Sequence, residues 1–480
     1  MNKEYEVVIG LEIHAELSTE TKTFCGCKNA FGAEANTLCC PICMGFPGAL
    51  PVLNEKVVEY AVKMGHALHC EINSVTKFDR KNYFYPDLPK AYQTSQFDVP
   101  ICVGGYVDIL LNGKTKRVQM TRIHIEEDAG KLLHDDAFEG ALLDGNRSSV
   151  PLIEIVSEPD MRSAEEAKAY MEAVHTILTY LDISDAKMQE GSLRADVNVS
   201  VRPIGQAEYG TRIEMKNVNS FNAVYRAIQY ESNRQIEVLE EGGSLFQETR
   251  RWDDVRGESI ALRSKENAQD YRYFPDPDLL TFIVSQELIE KLKAESPELP
   301  IEKTLRYMKD FGISQIDAET LASNKKRADF FDATVELKTA DPKLISNWML
   351  GDISRLLNEK RIEIDETQLT TANLASMIEK IEKGDISNNA GKTIIEIIIE
   401  KDINPQRIIE ENNLAQISDT SFLQEIVDNV LKSNEKAVED YKSGKTNVVG
   451  FLVGQCMKQS KGQGNPQILQ EMLLSSIEKL

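Results

Sequence analysis

A chain of 480 residues is too long for one hydrophobic core, so two to four domains are expected. Its apolar fraction of 41% is ordinary for a soluble protein. The formal charge of −22 argues against non-specific coating of nucleic acid, which needs Lys and Arg against phosphates, but leaves open a nucleic acid held by local basic patches.

The opening MNKEYEVVIGLEIHAEL lacks the apolar core of a secretory signal, and no apolar run reaches membrane-spanning length. A cytoplasmic protein without a membrane partner is therefore expected. From Tyr5 to about Leu280 strand-like runs alternate with turns: VVIGLEIH, GGYVDILL, KRVQMTRIHIE, PLIEIV, RADVNVSVR and TRIEM. Many of these neighbours are too close in sequence for helical crossovers, which predicts an α+β domain on a largely antiparallel sheet.

The first strand places Gly10, Glu12, His14 and Glu16 on one face and Leu11, Ile13 and Ala15 on the other. A carboxylate and an imidazole pointing the same way can share a cation.

Five of the eight cysteines then fall between Cys25 and Cys43. Cys25-Gly-Cys27 and Cys40-Pro-Ile-Cys43 are close pairs in turns, the spacing with which thiolates wrap tetrahedral zinc. Cys39 is left as the spare. Four protein ligands leave no open position, so the metal's expected role is structural; the ordinary alternative is a set of buried free cysteines. His66 and His69 are alternative ligands, although their segment reads as a helix.

Polar positions recur in later strands. Glu126, Glu127 and Asp128 end RIHIEEDAGK, Glu154 interrupts PLIEIV, and Arg194, Asp196, Asn198 and Ser200 alternate with Ala195, Val197 and Val199. Clustered carboxylates suit Mg²⁺, which also contacts substrate phosphates; for any one of them a solvated strand face is the ordinary alternative. Ser163 and Glu166 suggest a capping box opening a helix through Ala167, Met171, Val174, Leu178 and Leu181. A second helix is predicted from near Asn222 to Gly242-Gly243.

The stretch ESPELP, Glu295 to Pro300, ends this regime, and helical periodicity follows to the C-terminus. A further division is expected near Pro405. TIIEIII, Thr393 to Ile399, is interrupted by Glu396 and reads as a buried helix. The Gly-Lys-Thr runs at Gly391 and Gly444 do not form nucleotide loops, because Ile386 and Glu439 stand where the first Gly would be required. From Tyr441 to Gly464 there are Lys442, Lys445, Lys458 and Lys461 and no acidic residue.

The segments VIGLEIHAEL, KFDRKNYFYPDLPKAYQTSQ, RIHIEEDAGK, PLIEIVSEPDMRS, EGSLRADVNVSVRP, EMKNVNSF, QETRRWD and DYRYFPDPDL, with the two cysteine pairs, closely resemble the B subunits of the tRNA-dependent amidotransferase GatCAB. The resemblance spans nearly the whole chain. It implies a cradle domain over 1–294 with a zinc-binding insertion near 25–43, a helical domain over 295–404, and a YqeY-like tail over 405–480 that binds tRNA. It implies ATP, Mg²⁺ and structural Zn²⁺ as cofactors. The implied activity is ATP-dependent phosphorylation of the side chain of Glu on tRNA(Gln) or Asp on tRNA(Asn), then displacement of phosphate by ammonia.

Carried over residue by residue, the metal ligands fall on Glu12, His14, Glu154, Asp196 and one of Glu126 and Glu127. The resemblance favours Glu127, whereas strand alternation puts Glu126 on the polar face. Glu12, His14, Arg194 and Asp196 are the implied catalytic group. Lys81, Lys90 and Arg194 are candidates for phosphate contacts, against ordinary surface charge, and Tyr83 and Tyr85 for stacking on the tRNA end, against a purely structural role. The chain has no glutaminase motif, so an amidase-type A subunit would supply ammonia, with a small C subunit completing a heterotrimer. Two other readings are an archaeal enzyme of the E-subunit type, for whose inserted domain ESPELP leaves no room, and a non-catalytic tRNA-binding zinc module, in which Glu12, His14 and Asp196 would be needless.

Overall fold

The alternating N-terminal segment forms a 12-residue strand, Tyr5–Glu16, in the middle of a ten-stranded sheet. Leu193–Pro203 pairs with it on one side and Pro151–Ser157 on the other, both antiparallel. Lys114–Glu127 follows Pro151–Ser157. On the other flank come Ile213–Val218, Glu248–Asp253 and Glu258–Ser264, of which the first two form the one parallel pair among the described strands.

The computed structural model describes residues 4–134, 140–264, 270–416, 420–460 and 464–479. It falls into two units, Met1–Ile301 and Glu302–Leu480.

Period-two alternation sends Ile9, Leu11 and Ile13 to the same face as Ile153, Ile155, Val197 and Val199, where all are buried in one core. Removing each such side chain from water contributes about 1.5–3 kcal/mol. Two helices cover that face, Ala164–Tyr180 through Tyr170, Met171 and Val174, and Phe221–Glu240 through Ala223, Val224 and Ile228. Each starts at a serine, Ser163 or Ser220, whose side chain accepts a first-turn backbone N–H. The expected capping box is only half made: Glu166 Oε2 accepts from Arg162 N at 2.6 Å rather than from Ser163, and the same oxygen pairs with Lys116 at 2.5 Å.

With its apolar face covered, the sheet turns its other face, with the polar side chains, toward a small three-stranded sheet and the loops around it. That small sheet joins Asp79–Asn82, Tyr92–Ser95 and Phe274–Pro275.

The second unit is helical and holds two cores. One runs from Tyr307 to Ile409 and the other from Leu423 to Ile477. Asn388–Ile398 buries Ile394, Ile395 and Ile398, as the apolar run TIIEIII requires. Pro405–Glu411 places Ile408 and Ile409 in the first of these cores. The fold class is thus an α+β domain followed by helices. Among the described residues no helix is long and apolar enough to cross a membrane.

Candidate active site and metal centre

The strand registers decide which polar side chains meet. His14 lies opposite Arg194 on one side and Glu154 on the other, and Glu154 lies opposite His124. One row along, Glu12 lies opposite Asp196. The result is a band of carboxylates and imidazoles across four adjacent strands.

At its centre His14 Nε2 is 3.4 Å from both Glu126 Oε1 and Glu154 Oε2. Ligand atoms of His14, Glu126 and Glu154 all lie within 4.8 Å of one another. Burial alone would discharge His14. The hydrogen bond to Glu154 and the charges of Glu126, Glu154 and Asp196 outweigh it and push its pKa up to about 9. Glu154 is held well below the usual carboxylate range: burial opposes its charge, but His124 and His14 overcome that. Glu12 is pushed up, first by burial and then by Glu154, and accepts a hydrogen bond from Asn198 at 2.9 Å. Such a site attracts a cation.

Glu126 and Glu127 part company. Glu127, of opposite parity, receives Lys90 Nζ and the Thr94 N–H, the latter at 2.9 Å, and takes no place in the His14 cluster. Asp196 is near rather than in it, bound to Lys216 Nζ at 2.5 Å. Burial disfavours that ammonium, yet Asp196 and Glu214 hold its pKa above the ordinary lysine range. Arg194 donates to Asp128 at 2.8 Å.

Two participants were not singled out by sequence reasoning. His124, buried, brings Nε2 within 3.3 Å of Glu154, and the alternation of His124 with Glu126 in KRVQMTRIHIE was the signal for it. Lys216 carried none, because a bulge between Ala195 and Val197 resets its register.

Lys81 faces the same band. Its ammonium lies 5.0 Å from the Tyr271 ring centroid, and burial is overcome by Glu126, Tyr273 and Glu154, which raise its pKa. Tyr83 meets Tyr271 edge-on at 5.8 Å, while Phe84 and Tyr85 are exposed.

The cysteine pairs converge. Sγ atoms of Cys25, Cys27, Cys40 and Cys43 lie within 4.8 Å of one another, and Cys40 and Cys43 are 3.9 Å apart. Tetrahedral Zn–S bonds of about 2.3 Å require S···S separations of about 3.8 Å, so the set fits a metal of that kind. A hydrogen bond from Cys25, aided by the Cys40 N–H and Lys22, overcomes burial and draws Cys43 down to about 5, and Cys25 is raised in return. Cys39 turns instead to the Asn36 carbonyl. His66 Nε2 lies 2.9 Å from the Ile289 carbonyl oxygen, and His69, past the helix end at positive φ, stacks on Tyr106. Neither joins the thiol cluster.

In the tail, Lys442 and Lys458 lie in the last turns of Glu435–Lys442 and Val448–Gln459. Lys445 pairs with Asp440 at 2.8 Å. Lys461 lies outside the described residues.

A largely antiparallel sheet bearing a histidine–carboxylate band, with four convergent cysteines in the same unit and a helical unit following, defines an α+β protein with two groups of side chains of metal-ligand type. Residues 7–290 match the family model described as the GatB/GatE catalytic domain, and residues 329–477 the one described as the GatB domain. The chain is 54% identical over 480 residues to the B subunit of the aspartyl/glutamyl-tRNA(Asn/Gln) amidotransferase of Caldicellulosiruptor bescii, covering 99% of this chain and 100% of that one. It is 53% identical over 475 residues to the protein of the same name from Thermoanaerobacter sp., with 99% and 100% covered. It is 50% identical over 476 residues to that of Brevibacillus brevis, with 99% of each chain covered. The chain belongs to the GatB family, the B subunits of tRNA-dependent amidotransferases, which are carbon–nitrogen ligases.

Proposed function

We propose that this chain activates the side-chain carboxylate of misacylated Glu-tRNA(Gln), Asp-tRNA(Asn) or both, at the expense of ATP, and then amidates it with ammonia from a glutaminase partner. The observation that carries the reading is the His14–Glu126–Glu154 cluster in a member of this family. A carboxylate is a poor electrophile from which ammonia cannot expel oxide. Transfer of the γ-phosphoryl group from ATP gives an acyl phosphate and ADP, ammonia attacks the carbonyl carbon, and phosphate leaves with the C–O bonding pair.

His14, Glu126 and Glu154, with Glu12 and Asp196 alongside, would hold Mg²⁺, which supplies charge neutralisation for phosphate oxygens. Lys81, Arg194 and Lys90 would meet the phosphates, and Glu127 keeps Lys90 in place. Tyr83 and Tyr85 would stack on the tRNA end. The four cysteines would hold structural zinc. The chain would be divided into a catalytic cradle over 1–294, a helical domain over 295–404 and a tRNA-binding tail over 405–480. It would work in the cytoplasm as a heterotrimer with the glutaminase, or A, chain and the small C chain.

The test is amidation by the three-chain enzyme with each misacylated tRNA. His14→Ala and Asp196→Ala should abolish ATP-dependent amidation while glutamine hydrolysis by the partner persists. Undiminished amidation in both variants would remove them from the site.

A further inference from the structure

The charged band continues past His14. Two residues further along Tyr5–Glu16, about 7 Å at the rise of a strand, Glu16 takes the same face as His14. Asp128 stands two residues beyond Glu126, its N–H donating to the Val150 carbonyl at 2.8 Å. Tyr5–Glu16 and Lys114–Glu127 both pair antiparallel with Pro151–Ser157, so they run the same way, and the two steps lead from the His14 cluster to one place. A cavity of about 280 Å³ opens there, lined by Glu16, Phe31, Lys131, Asn146, Arg147 and Glu190 among others.

The charges at its inner end are unevenly shared. Asp128, buried, takes both nearby guanidinium groups: Arg194 donates to it at 2.8 Å and Arg147 Nε lies 3.6 Å from it. Arg147 is tied down further by donating to the Ala129 and Gly130 carbonyls. Glu16 is left without an ion pair among the described residues, although it is half-buried and its strongest charged neighbour is Asp128, of like sign. A carboxylate in such a position is disfavoured until a cation comes to it.

The reaction proposed above supplies one. In a glutamyl or aspartyl ester only a few bonds separate the side-chain carboxylate from the α-ammonium group, so a substrate whose carboxylate meets the His14 cluster carries its ammonium a few ångström off. His14 and Glu16 are spaced on that scale. An ammonium is also compact, with three donors and no acceptor, which suits a gap between two carboxylates better than a second guanidinium fork would.

We propose that this cavity holds the α-ammonium group of the misacylated amino acid, with Glu16 as its first acceptor and Asp128, oriented by Arg194 and Arg147, as its second. The assignment rests on the phosphoryl-transfer reading and adds to it the contact by which an aminoacyl ester is told from a simple carboxylate ester.

The experiment uses the assembled three-chain enzyme with ATP. It compares the misacylated tRNA that the enzyme amidates with the desamino ester of the same tRNA, glutaryl in place of glutamyl or succinyl in place of aspartyl. Wild type should lose about tenfold or more in kcat/KM on the desamino ester, the scale of one hydrogen bond between charged groups. Glu16→Gln should lose a similar factor on the natural ester and almost nothing further on the desamino ester, because the two changes remove the same contact. The inhibition constant of the uncharged tRNA and the KM for ammonium chloride as nitrogen donor should stay unchanged in that variant. Equal kcat/KM of wild type on the two esters would overturn the subsite, and this comparison stands even if Glu16→Gln fails to fold. An equal loss on both esters in the variant would overturn it too, and a selective rise in the KM for ammonium chloride would assign Glu16 to the incoming ammonia instead. In each of these cases ADP formation with the natural ester leaves phosphoryl transfer in place, whereas a wild-type complex that formed no ADP with either ester would overturn both readings.

Discussion

Adjacent residues of like chemistry can have unlike surroundings, as Glu126 and Glu127 do: one step along a strand reverses the face, so the first joins His14 and the second joins Lys90. The same scale governs the cysteine cluster. A four-thiolate site around Zn²⁺ carries excess negative charge, and Lys22, fully buried, brings its Nζ within 3.8 Å of Cys43 Sγ and 3.4 Å of the Gly145 carbonyl. A buried lysine without such a partner would be strongly disfavoured. Its expected role is to offset the thiolate charge and hold Cys43 in place. Purified protein should contain about one zinc per chain, and Lys22→Met, similar in length and apolar, should weaken zinc about 10–100-fold in chelator competition, the usual effect of removing a group that supports a metal ligand. Circular dichroism of the zinc-loaded variant should match wild type. Equal zinc affinity in the two proteins would make Lys22 a packing residue only.

Among the elements, strands and helices differ in how their ends are fixed. The helix Ala164–Tyr180 begins where Ser163 Oγ accepts from the Glu166 N–H at 3.2 Å, and its buried face packs on the central sheet's core. Ser163→Ala should therefore lower stability by about 1 kcal/mol, seen as a fall of about 2–4 °C in the midpoint of the thermal transition that reports the first unit; an unchanged midpoint would show that packing alone fixes this helix end. Alternation made the strand Tyr5–Glu16 and its polar face legible in the sequence, and the Cys pairs were legible from spacing, because both signals are local. What was not legible is register. Whether Glu154 meets His14 or Glu12 depends on how strands far apart in sequence pair, and the bulge that brings Lys216 to Asp196 leaves no mark in EMKNVNSF.

On the scale of the whole molecule the question is how a chain of charge −22 holds a polyanion. Long-range repulsion must be offset by a local cationic surface, because the screening length at physiological salt is only about 8 Å. The lysines between Tyr441 and Gly464, a stretch without acidic residues, are the expected source of one. Lys442 and Lys458 are exposed at helix ends, where the ends of the helices also favour cations intrinsically, so neither is consumed by a buried partner. Lys445 does have one in Asp440, but the pair is exposed and screened by solvent, so a phosphate can replace the carboxylate at small cost. Gly444 has φ near +99° and, among the described residues other than its chain neighbours, no atoms within 4 Å of a Cβ position, so the turn between the two helices has room for an approaching backbone. Substituting Lys445, Lys458 and Lys461 with Ala should raise the KM for misacylated tRNA and flatten its salt dependence, by about 0.7–0.9 in the log–log slope for each phosphate no longer neutralised. The kcat at saturating tRNA should change little, because groups that grip phosphates position the tRNA without entering the reaction. Titrating the KM between low and physiological salt in wild type and the triple variant makes the check; parallel lines of equal height would show that the tRNA is held elsewhere.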